Sequence, residues 1–216
     1  MIFLNLTRMP VNPHSGWCDA FAAKLDPSGN RLWHTFMGGI GYDRGFAVAV
    51  DGSGNIYVAG GSDAAWGTPL NAFAGGGFDD AFAVKLDPSG NRLWHTFIGG
   101  TGSDWVSAIA VDGSGNIYVA GTSSATWGTP VNAFAGGFND AFATKLDSSG
   151  NRIWHTFIGG TVSDSGGAIA VDGSGNAYMS GHTAFKINIL AWIFNSLTLI
   201  TRYKKRKGKE FHVLNF

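Results

Sequence analysis

Lys24-Leu-Asp-Pro-Ser-Gly-Asn-Arg-Leu-Trp-His-Thr-Phe36 returns letter for letter at Lys85–Phe97, and with two changes at Lys145–Phe157. A second string, Ala-Val-Asp-Gly-Ser-Gly-Asn-Ile-Tyr-Val-Ala-Gly, occupies Ala49–Gly60 and Ala110–Gly121, with a looser copy at Ala170–Gly181. The two alternate, so the repeating unit is about sixty residues. Self-similarity at a fixed period marks a tandem architecture and constrains the fold before any local reading does.

Both strings carry Asp-x-Ser-Gly-Asn, starting at Asp26, Asp51, Asp87, Asp112, Asp147 and Asp172. Each lies between two short apolar runs. Asp and Asn side chains bond their own backbone, and Gly accepts a left-handed conformation, so the motif predicts the tip of a β-hairpin. The flanking runs are rich in β-branched and aromatic residues, and none is long enough for a helical stripe. One unit therefore reads as four strands: Ala108–Val111, Ile117–Gly121, Ala141–Leu146 and Arg152–Phe157.

Four short antiparallel strands per unit describe a β-propeller blade. The first strand alternates Ala with Val or Ile (Ala47 to Val50, Ala108 to Val111), which suits crowding near an axis. The last carries Trp33, Trp94 or Trp154, large enough to fill the wider gap between blades. The expected class is all-β, a propeller-like array of four-stranded antiparallel blades. Its twelve strands make about three blades, fewer than the four to eight of most propellers. The reading favours a fragment of a larger propeller. Self-association that completes the ring and an open array remain the alternatives.

The 216 residues hold fifteen basic and fifteen acidic side chains. From Arg202 onward there are six Lys or Arg against Glu210 alone, so the array itself is mildly acidic. Without a basic patch, nucleic acid is not an expected partner. Cys18 is the only cysteine, which excludes an internal disulfide. The first residues have no charged leader and too short an apolar run for a secretory signal. Residues 1–18 read as a truncated repeat start, because Pro10, Val11 and Asn12 echo the linker found at Pro130. Residues 19–183 are the repeats, and 184–216 a non-repeating apolar and basic tail. In that tail, residues 187–200 followed by a basic cluster have the layout of a membrane anchor. Fourteen helical residues nevertheless span only about 21 Å against a hydrocarbon core of about 30 Å. A non-native terminus, an anchor, and an element packing on the array all stay open.

Two stretches carry a resemblance. Asp-Ala-Phe-Ala-x-Lys-Leu-Asp-x-Ser-Gly-Asn-x-x-Trp, from Asp19, Asp80 and Asp140, and Ala-x-Ala-Val-Asp-Gly-Ser-Gly-Asn-x-Tyr, from Ala47, Ala108 and Ala168, resemble the SBBP repeats of bacterial surface and secreted proteins. The resemblance covers about Asp19 to Gly181. It implies a β-propeller architecture and an extracellular or cell-surface setting, with no shared catalytic residue.

In a meander all six tips fall on one rim and the longer connections on the other, where binding is sought. Those connections end at Asp43, Asp104 and Asp164, or begin at Trp66 and Trp127 within Trp-Gly-Thr-Pro-x-Asn-Ala-Phe. The three aspartates read either as a partial ring for a cation or sugar or as residues that turn the chain into the next strand. The two tryptophans read either as stacking platforms for a carbohydrate or as wedges that fix the linker to its blade. His34, His95 and His155 occupy equivalent positions in separate units, which keeps them apart and argues against zinc. The tips lack the dense ligand series of an EF-hand. No Gly-x-Ser-x-Gly elbow occurs, and the acids of the array, Asp63 and Asp79 apart, recur at equivalent positions, which argues against a pair primed for different roles. The expectation is a non-catalytic structural or interaction module with a protein or glycan partner, no cofactor and no metal; the alternative is a lectin-like propeller that binds carbohydrate through the long-connection rim.

Overall fold

A computed structural model describes residues 9–76 and 79–184. The tail beyond Ala184, including the candidate anchor at 187–200, lies outside the described residues. All regular structure among the described residues is β: β1 (Ala20–Leu25), β2 (Arg31–Met37), β3 (Asp43–Val50), β4 (Ile56–Ser62), β5 (Asp80–Leu86), β6 (Arg92–Ile98), β7 (Asp104–Val111), β8 (Ile117–Ser123), β9 (Asp140–Leu146), β10 (Arg152–Ile158), β11 (Asp164–Val171) and β12 (Ala177–Thr183). They form two complete four-stranded meanders, β3-β4-β5-β6 and β7-β8-β9-β10, flanked by the pairs β1-β2 and β11-β12. Every ladder between these strands is antiparallel. Among the described residues the sheets do not close into a ring.

The hairpin tips form as their residues dictate. At Asp51, Oδ1 accepts from the backbone N–H of Ser53 and of Asn55, each at 2.9 Å, and Oδ2 accepts from Asn55 Nδ2 at 2.8 Å. Gly54, at φ 81°, supplies the left-handed step that closes the turn. The other five tips repeat this bonding.

The first strand of each unit starts four residues earlier than the alternating Ala pattern predicts. The ladder jumps between Gly45 and Ala47, between Val106 and Ala108, and between Gly166 and Ala168, leaving one residue unpaired at each bulge. The bulge shifts the side-chain phase and hides the rest of the strand from a period-two reading. Asp43, Asp104 and Asp164 thus become the first residues of strands rather than the last of loops.

Neighbouring sheets meet through their first strands, β3 with β7 and β7 with β11. Small side chains at Ala47 and Ala108 permit this approach. The central strands are the most buried, and Tyr57, Tyr118, Phe82 and Phe142 have no exposed surface. At the outer end Trp33 Nε1 donates to the Pro88 carbonyl at 3.1 Å, and Trp94 Nε1 to the Ser148 carbonyl at 3.3 Å, each in the following unit. Trp33 and Trp94, both half-buried, thus bridge from the last strand of one sheet to the hairpin tip of the next.

Candidate functional site: the long-connection rim

The linkers at 63–79 and 124–139 leave the end of the second strand and return to the start of the third. On the way they run along the free edge of the blade's last strand. Leu70 N–H donates to the His95 carbonyl at 2.9 Å and Phe97 N–H to the Asn71 carbonyl at 3.2 Å. Val131 with His155 and Phe157 with Asn132 repeat the arrangement, as do Val11 with His34 and Phe36 with Asn12. The linker therefore protects an edge that would otherwise invite intermolecular pairing. Asn71 Nδ2 also donates to Thr96 Oγ1 at 2.7 Å.

Trp66 and Trp127 anchor these straps. Their exposure is only 4% and 5%. Trp66 stacks on His95 with ring centroids 4.0 Å apart, meets Phe82 and Phe97 edge-on, and has the Arg92 guanidinium 5.3 Å from its centroid. Trp127 repeats the set with His155, Phe142, Phe157 and Arg152. The carbohydrate-platform reading of Trp66 and Trp127 is corrected accordingly: the protein's own side chains cover the rings, and neither offers a face to a sugar. The recurring histidines are part of the same device, since His95 Nε2 lies 2.8 Å from the Trp66 carbonyl and His155 Nε2 2.7 Å from that of Trp127. A carbonyl only accepts, so Nε2 carries the proton and each ring is in that tautomer.

Asp43, Asp104 and Asp164 are buried, and each Oδ2 accepts the backbone N–H four residues upstream, from Gly39, Gly100 and Gly160 at 2.9, 2.9 and 2.8 Å. This is the chain-turning role. Among the described residues no group of three or more His, Cys, Asp and Glu is placed to hold a metal ion.

Two further carboxyls on this rim escape a sequence reading. Asp80 and Asp140 open β5 and β9, have no exposed surface, and accept from Ala74 N–H and Ala135 N–H. Ser62 pairs with Asp43 on one side and Asp80 on the other; Ser123 does the same between Asp104 and Asp140. Among the described residues, Oδ1 of Asp43, Asp80, Asp104 and Asp140 is buried without a hydrogen-bond partner. Burial pushes Asp80 up to about 6 against the opposing N–H bonds of Ala74 and Gly75. Burial likewise pushes Asp104 up to about 7 against the bonds of Ser123 and Gly100, with the Asp80 charge adding to the rise. Asp43 and Asp140 also rise, chiefly through burial, whereas Asp164 is lowered by hydrogen bonds from Thr183 and Gly160. The available signal was Asp directly before Ala-Phe-Ala in all three copies.

The tips behave oppositely. Asp26, Asp87 and Asp172 are held below the ordinary carboxylate value by their Asn partners, first through its side chain and then through its backbone N–H. At Asp51 and Asp112 burial opposes ionisation, but the Asn and Tyr hydrogen bonds outweigh it. These carboxylates are engaged by their own loops.

With that geometry in hand, comparison with known proteins finds the SBBP family, described as a beta-propeller repeat, matching at residues 32–65, 93–126 and 153–186. Each match starts in the last strand of one sheet and runs through the first two strands of the next. No curated protein matches the chain.

Proposed function

We propose that this chain, an array of SBBP beta-propeller repeats, is a structural or interaction module of a bacterial cell-surface or secreted protein and performs no catalysis. SBBP repeats make a structural repeat module; the setting and the absence of catalysis are our reading. The observation that carries it is the internal use of the recurring polar groups. Tip aspartates cap their own turns, rim aspartates hold their own strand starts, and each buried histidine secures its own linker. Repetition of such contacts serves assembly of the array rather than turnover of a substrate. A surface built from near-identical units, with polar tips on one rim and straps on the other, suits presentation to a partner protein.

Protease shaving of intact source cells tests the setting. Peptides from residues 19–183 are expected in the shaved fraction or the medium, and recovery from the cytosol alone would remove the proposal. Turnover of a hydrolase substrate panel by the purified chain, lost in Asp104→Asn, would overturn the non-catalytic half.

A further inference from the structure

The two ends of the array are half-blades of opposite kind. β1-β2 corresponds to the third and fourth strands of a blade, and β11-β12 to the first and second. Among the described residues β1 and β12 each pair on one side only. We propose that a second copy of this chain supplies the missing halves head to tail, β12 of one copy pairing with β1 of the other at two equivalent junctions. This goes beyond the functional proposal and rests on sheet topology, not on where the protein works.

The register follows from the complete blades. There the second strand meets the third as Ile56↔Leu86, Tyr57↔Lys85, Ala59↔Ala83, Gly60↔Phe82 and Ser62↔Asp80, and β8 meets β9 in the same frame. Carried to the ends, Ala177 faces Leu25, Tyr178 faces Lys24, Ser180 faces Ala22, Gly181 faces Phe21 and Thr183 faces Asp19.

The side chains at these positions fit. Phe82 and Phe142 are fully buried over Gly60 and Gly121, where an added Cβ would come within 2.6 and 2.8 Å of the ring. Phe21 holds the same position on β1 yet is 65% exposed, while Gly181 stands on β12 where Gly60 and Gly121 stand. The knob is at one end of the array and its notch at the other. Lys85 lies 5.3 Å from the Tyr57 ring and Lys145 5.0 Å from that of Tyr118. The corresponding Lys24 is on β1 and Tyr178, 61% exposed, on β12.

A cavity of about 660 Å³ lies where the missing inner strands belong, lined by Phe21, Leu25, Trp33, Phe46, Val48 and Val50 among others. In the complete part of the array the equivalent space beside β7 is filled by β3 and β4, the inner strands of the preceding blade. Ring size selects the number of copies. The described strands of one copy would make three blades and those of three copies nine, both outside the usual four to eight; those of two copies number twenty-four, six blades. Closure also removes both open edges.

Light scattering on the full chain, with cysteine trapping, tests this. Cys18→Ser removes the only thiol, then Ala22→Cys and Ser180→Cys are introduced in separate copies. Register partners on adjacent strands have Cα atoms about 4.5 to 5.5 Å apart, within disulfide reach. The chain without introduced cysteines is expected at twice the monomer mass at every concentration. Co-expressed Ala22→Cys and Ser180→Cys chains are expected to give a disulfide-linked pair on a non-reducing gel, at least tenfold more than either alone. A monomer mass overturns the proposal. Mass that grows with concentration overturns closure at two copies. Linkage of Ala22→Cys to itself, or a dimer with no linkage in the mixture, overturns the head-to-tail register.

Discussion

The imidazole of His95 lies flat on the indole of Trp66, with centroids 4.0 Å apart and planes 10° from parallel, while its Nε2–H reaches the Trp66 carbonyl at 2.8 Å. One residue of the last strand thus holds both the ring and the backbone of the linker that covers that strand. His95→Ala removes an aromatic stack worth about 0.5 to 1.5 kcal/mol and leaves a buried carbonyl without its donor, at about 1 to 3 kcal/mol. The expected loss is about 2 to 4 kcal/mol by urea unfolding. Burial holds the His95 pKa below 6.5, with the Trp66 carbonyl bond opposing. As pH falls through 6.5 the unfolded chain takes up a proton that the folded chain refuses, so this contribution is present above 6.5 and lost below it. The wild-type advantage over His95→Ala is therefore expected to shrink between pH 7.5 and 5.5.

Asp104 has the opposite sign. Its folded value of about 7 lies above the ordinary 3.8, so the folded chain binds a proton that the unfolded chain releases. Its contribution is fully present below about pH 3.8 and lost as pH rises through about 7. Asp104→Asn keeps an oxygen for the Gly100 N–H and buries no charge. Above pH 7.5 the variant is expected to exceed wild type by at least about 1 kcal/mol, and the difference is expected to vanish towards pH 4. Denaturant unfolding across that range, read as variant minus wild type, separates Asp104 from the opposing histidines; a pH-independent difference would count against a protonated Asp104.

Strand number, hairpin tips and the blade were legible because turn chemistry and period-two patterning act over a few residues and recur. The Asp-x-Ser-Gly-Asn tips fold by contacts within five residues, all of them visible in the sequence. What was hidden depends on separation or on burial created by other segments. Trp66 and His95 stand 29 residues apart and no spacing rule joins them. Asp80 looks like a surface residue ahead of a strand, and becomes buried only when its linker folds back and Ala74 N–H closes on it. The bulge at Ser107 broke the alternation that would have carried β7 back to Asp104.

Gly121 is a notch rather than a hinge. A Cβ there would sit 2.0 Å from the Trp105 carbonyl and 2.8 Å from the Phe142 ring, and the first of these neighbours is backbone that cannot move without disturbing the β7-β8 ladder. Gly121→Ala is expected to destabilise by about 3 kcal/mol or more, the upper range for overpacking. Gly113→Ala, at a tip position with open space around it, is expected to change stability by less than about 1 kcal/mol. Thermal unfolding of the two variants side by side checks the contrast.

The Ser148 carbonyl joins two blades by accepting from two donors of the preceding sheet, Trp94 Nε1 and Lys85 Nζ, both at 3.3 Å. When donors share an acceptor, removing either leaves the oxygen served by the other, and only the double change strips it. Trp94→Phe and Lys85→Met are each expected to cost about 1 kcal/mol. The double variant is expected to lose about 0.5 to 1 kcal/mol more than their sum, the non-additivity of neighbours in one network. Simple additivity in urea titrations of the four proteins would mean that Trp94 and Lys85 contribute independently and are not coupled through the shared carbonyl. Because the Trp33 indole makes the corresponding bond to Pro88 one unit earlier, Trp33→Phe is expected to repeat the single-variant cost at the preceding junction.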